Sequence, residues 1–106
     1  MSTGMPADIT DVSTQLTRLA IPHQVDGDTI ILVPVDGVTL HVRWHPHFGD
    51  HGSWYRRIEK GLTEVSGPLR VSVSDPSDAR QVAEAVYEEC RWQQEVADAQ
   101  AEAGEQ

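Results

Sequence analysis

Apolar residues recur at helical spacing near the start of the chain and then switch to strict alternation. Ile9, Val12, Leu16 and Leu19 share one face of a helix over about Asp8–Ala20, while Asp11, Ser13, Gln15 and Arg18 fall elsewhere on the wheel. Asp8 and Asp11 near the start and Arg18 near the end suit the helix dipole. The Ile21-Pro22 pair should stop this helix, because a residue before proline is pushed out of the α region.

Two Asp-Gly pairs follow in quick succession. His23–Val25, Asp26-Gly27, Asp28–Val35, Asp36-Gly37 and Val38–Trp44 read as three antiparallel strands joined by tight turns. In the third strand Val38, Leu40, Val42 and Trp44 take one face and Thr39, His41 and Arg43 the other, a half-buried pattern. A loop from about His45 to Ser53 leads to a fourth strand, Trp54–Glu59. A hairpin symmetric about Gly49 sets Trp44 opposite Trp54, Val42 opposite Arg56 and Leu40 opposite Ile58, and gathers His41, Arg43, Tyr55 and Arg57 on the reverse face. The Ser66-Gly67-Pro68 turn then predicts a fifth strand over Leu69–Val73.

Ser74-Asp75-Pro76, followed by Asp78, is a helix-start signal. The second helix runs to about Ala99 or beyond, with Ala79, Val82, Ala83, Val86, Cys90 and Ala97 as its buried stripe. Trp92 lies off that stripe, and Glu84, Glu88, Glu89, Glu95 and Asp98 read as a solvated acidic face. The expected fold is a single α+β domain over 1–106, of order α-β-β-β-β-β-α: an antiparallel meander with both terminal helices mainly on one face. Residues 1–7 and about 100–106 are expected to be disordered. One strand breaks the half-buried pattern, for Thr29–Val35 is apolar on both faces, so a partner or a second copy is expected to cover what the helices leave open. Pro34 cannot donate to a sheet ladder and belongs at an edge or a bulge.

Composition narrows the function classes. The net charge of −9 is uneven: residues 1–40 carry −4, residues 41–73 carry +2, and residues 74–106 carry −7. That overall field opposes generic nucleic-acid binding. No apolar run approaches the ~20 residues of a membrane span. The N-terminal residues show no secretory signal, and Cys90 is the only cysteine, so a cytoplasmic location is expected and a multi-cysteine zinc site is excluded. The absence of asparagine, with one lysine and one phenylalanine, suggests a GC-rich coding sequence of actinobacterial or phage origin.

Four of the five histidines lie between His41 and His51, bracketed by Trp44 and Trp54. Imidazole suits zinc and other transition metals, whose ligands must converge at about 2.0–2.1 Å. His41 and His45, four residues apart on one strand, are ~13 Å apart at ~3.3 Å per residue and cannot share an ion. The alternative reading is therefore a transition-metal site made by His45, His47, Asp50 and His51 in one loop. Catalytic readings are weaker. Cys90 follows Glu88 and Glu89, which discourages a thiolate. Asp50, His51 and Ser53 are too close in sequence for a triad drawn from separate segments. The leading expectation is a non-catalytic protein-interaction domain without a cofactor, forming a homodimer, with Trp44, Phe48, Trp54, Tyr55, Arg56 and Arg57 contacting the partner.

Overall fold

In a computed structural model, which describes residues 6–49 and 52–104, helix α1 spans Ile9–Arg18 and helix α2 spans Ala79–Gly104. Between them run β1 (Gln24–Asp26), β2 (Thr29–Val35), β3 (Val38–His45), β4 (Ser53–Lys60) and β5 (Thr63–Pro68). All neighbouring strands are antiparallel, and their spatial order follows the chain. The α+β class and the α-β-β-β-β-β-α order are those the hydrophobic pattern predicts.

Asp8 caps α1, its carboxylate accepting the Thr10 N–H at 3.0 Å. Val12 and Leu16 are fully buried. At the other end, the Ile21 N–H reaches back to the Leu16 carbonyl and the Ala20 N–H to that of Thr17, each at 3.0 Å. These are the paired bonds of a Schellman stop, and they place Ala20 at φ 59°. The helix thus ends on a left-handed residue one step before the Ile21-Pro22 pair. The stop is completed by His23, whose Nδ1–H donates to the Ile21 carbonyl at 2.8 Å and whose Nε2 accepts from the Ser13 hydroxyl at 2.7 Å. The carbonyl cannot donate, and that fixes this tautomer.

The β3–β4 register pairs Trp44 with Trp54, Val42 with Arg56 and Leu40 with Ile58. Side chains alternate from there. Ile30, Leu32, Val38, Leu40, Val42, Trp54 and Ile58 face the helices and close on Val12, Leu16, Val82, Ala83 and Val86. The β2–β3 register shifts between Leu32 and Val35, which places Pro34 in an irregularity where its missing N–H costs no ladder bond.

The fifth strand is not Leu69–Val73. Lys60 pairs with Thr63 across a two-residue turn that holds Gly61 at φ 61°, so β5 begins at Thr63 and sets Val65 opposite Ile58. Ser66-Gly67-Pro68 is the end of that strand rather than a turn. Beyond it Leu69 drops into the core, while Val71 stays exposed on the way to α2.

Asp78 caps α2, accepting the Arg80 N–H at 3.0 Å on its side chain. The buried stripe of α2 continues through two polar residues, Glu89 and Gln93. Glu89 is therefore not on a solvated face. Its Oε2 lies 3.1 Å from the Arg56 Nε, and its Oε1 accepts the Arg70 N–H at 3.1 Å. The Arg56 N–H is not aligned on that carboxylate oxygen, so their contact is Coulombic rather than a well-formed hydrogen bond.

Candidate functional site

Because both helices pack on one side, the other side of the sheet is left uncovered by the described residues. Asp26 of β1, Thr29 and Ile31 of β2, His41, Arg43 and His45 of β3, Tyr55 and Arg57 of β4, and Ser66 of β5 line a shallow depression of about 440 Å³ there. The strand pattern dictates this set, since alternate residues of β3 and β4 point away from the core. Register then fixes their mutual places, with Arg43 opposite Tyr55 and His41 opposite Arg57. At ordinary sheet spacing these four side chains stand at the corners of a figure about 5 Å by 7 Å.

Two of these side chains are partly satisfied. The His41 Nε2–H donates to the Glu59 carboxylate at 2.8 Å, with the imidazole largely covered. Arg57 meets Glu64 only at 3.8 Å, and both side chains are about half exposed, so the pair holds neither group firmly. Arg43 is exposed and makes no ion pair among the described residues. At one margin three rings gather: His45 lies 5.0 Å from Tyr55, and Phe48 lies 5.4 Å from Tyr55 and 6.1 Å from His45, all tilted. Val33, also on β2, is 63% exposed, but it lies within the register shift and lines a separate depression with Leu32, Tyr87 and Gln94.

The residues singled out in the sequence divide between the two faces. Phe48, Tyr55 and Arg57 belong to the open face. Trp54 is buried, its indole N–H donating to the Pro76 carbonyl at 3.1 Å, and Trp44 packs against it edge-on at 5.8 Å. Arg56 points to the helix side, where it meets Glu89. One signal for that buried pair lies in the sequence: position 56 faces Val42, an inward place, and Glu89 continues the spacing of Val82 and Val86. A charge in an inward position calls for an opposite charge beside it. Trp92 also finds its place, under the guanidinium of Arg70 at 3.7 Å.

Of the four proposed metal ligands, Asp50 and His51 lie outside the described residues. His45 turns onto Tyr55, and its Nδ1 accepts the His47 N–H at 3.3 Å. Among the described residues no three His, Cys, Asp or Glu side chains come together as a metal would require. Cys90 is buried, and burial, with the Glu89 charge adding to it, pushes its thiol up to about 11. No helix among the described residues is long and apolar enough to cross a membrane.

Fold and face together define a half-covered α+β sheet domain. Compared with known proteins, the chain matches no family model, no curated protein and no solved structure.

Proposed function

We propose that this chain is a non-catalytic interaction domain that binds a protein partner on the open face of its sheet. The observation that carries the reading is the open side of a five-stranded sheet on which Ile31, Tyr55 and Phe48 stand beside Arg43 and Arg57. Apolar and aromatic side chains mixed with arginine are the composition of interface centres. The helix side holds the core, although Val25, Val65, Tyr87 and Trp92 stay exposed on it.

A second copy of the chain is one such partner. It would account for the two-sided apolar character of β2 without a further protein, and light scattering across a concentration series reads it directly.

Photocrosslinking in cells tests the reading. A benzophenone amino acid at Tyr55 or Ile31 should give a discrete protein adduct, to a partner or to a second copy. The same group at Glu84, on the exposed side of α2, should give none. Adducts from Glu84 alone, with none from the sheet face, would overturn the assignment.

A further inference from the structure

We infer that the open face recognises an acidic segment of its partner, with carboxylates seated between Arg43 and Arg57 and apolar side chains on Ile31 and Tyr55. This rests on the interaction-domain reading and adds the chemistry of what is bound.

The chain has 17 acidic residues against 8 Lys and Arg. Two of those eight nevertheless stand on diagonal positions of one depression, with His41 and His45 beside them. Of the three acids nearest to them only Glu59 is held, receiving His41 at 2.8 Å; Glu64 stands 3.8 Å from Arg57, outside hydrogen-bond range, and Asp26 lines the depression itself. Arg43 is left as an exposed guanidinium without an ion-pair partner among the described residues, so its fork is free for a bidentate carboxylate. The hydroxyls of Thr29 and Ser66 line the same depression and supply neutral donors.

The apolar part of the face sets the rest of the ligand. Ile31 lies in the depression. The rings of Tyr55, His45 and Phe48 close the opposite end. An extended segment laid across the strands would present carboxylates to the arginines and apolar groups to either side.

A polynucleotide fits less well. Two arginines engage only a short run of charge, and a long polyanion leaving the patch meets a surface whose net charge is −9. A short acidic segment stays within the patch.

The test is a backbone and arginine side-chain NMR titration of the full chain with an N-acetylated peptide of alternating glutamate and leucine. A glutamine-for-glutamate peptide and a single-stranded oligonucleotide serve as comparisons. Shifts are expected at Arg43, Arg57 and Ile31. Affinity should fall about tenfold in Arg43→Gln and again in Arg57→Gln, the loss of one charge-assisted contact each. Thermal unfolding of these surface variants should match the parent, so a loss of binding is not a loss of fold. Absence of binding, equal binding of the glutamine peptide, tighter binding of the oligonucleotide, or shifts confined to the helix side would each overturn the inference. The two proposals also separate on the crosslinked partner itself. Capture through Tyr55 that is indifferent to salt and to Arg43→Gln would leave the interaction reading standing and remove the acidic segment.

Discussion

Ala20 is a single residue whose conformation and identity disagree. It occupies the left-handed position of a Schellman stop at φ 59°, where a β-carbon meets the neighbouring carbonyl and glycine is the preferred occupant. Ala20→Gly should therefore stabilise the protein by about 1 kcal/mol, less the extra entropy of glycine in the unfolded chain, read as a rise in the urea midpoint at constant slope. Gly52 presents the opposite case. It sits at φ 80°, and a β-carbon there would come within 2.6 Å of the Trp44 ring and 3.1 Å of the His45 carbonyl. Gly52→Ala should cost about 2 kcal/mol or more, because neither the indole packed on Trp54 nor the strand backbone can move away cheaply. Cys90 supplies a pH dependence. The fold favours its neutral thiol, so the folded value of about 11 stands above the ordinary 9.0. The resulting stability is fully present below about pH 9 and is lost as pH rises through about 11. Denaturant midpoints measured across that range should fall in the parent and fall less in Cys90→Ala. Alkylation of the native thiol at neutral pH should be slow until the protein is unfolded.

At the scale of elements, β4 and α2 are joined by the Arg56–Glu89 pair. Removing one partner leaves a charge stranded in the core. Arg56→Met should cost about 3–5 kcal/mol, whereas Arg56→Met with Glu89→Leu should recover much of that loss. A double-mutant cycle by chemical denaturation checks this, and additive losses would show that the two groups are not coupled. The pair also marks where the sequence was harder to read. Glu89 continues the spacing of Val82 and Val86, but it sits among Glu84, Glu88 and Glu95, which are exposed, and nothing local distinguishes it from them. Elements with a strong pattern or turn chemistry were legible: the helices, the Asp-Gly hairpins, and the Trp44–Trp54 register that follows from symmetry about Gly49. β5 was not, because Thr63–Pro68 is an edge strand with nearly every residue exposed, and such a strand has no buried face to impose alternation. Leu69, Val71 and Val73 do alternate, and the Gly61-Leu62 turn overrides them by fixing which residues can reach β4. The open face was legible in part. Alternation placed His41, Arg43, Tyr55 and Arg57 together, but the tryptophans, the most conspicuous residues of the hairpin, belong to its other side.

For the whole molecule, shape and charge diverge along its length. The described residues span 57 Å in their longest direction against 29 and 23 Å in the others. A helix of 26 residues is about 39 Å long at 1.5 Å per residue, so α2 is the longest single element of that axis. Its core contacts end early: Gln93 is its last buried residue, and Gln94 makes the last tie to the sheet, donating to the Pro34 carbonyl at 3.2 Å. Val96 and Ala97 are half-buried, and the next residues, Asp98 to Ala101, are exposed. Stability should then be insensitive to the end of this helix. Deleting residues 98–106 removes Asp98, Glu102 and Glu105 and brings the net charge from −9 to −6, with no buried apolar group lost among residues 98–101. Thermal unfolding should shift by no more than the equivalent of about 0.5 kcal/mol. Stopping instead after Ala85 removes Val86, Glu89, Cys90 and Gln93 from the core and strands Arg56, and that truncation should not fold. Circular dichroism melts of the two truncations check the contrast. A large loss of stability in the shorter deletion would mean that the end of α2 is held by contacts beyond those of Gln94.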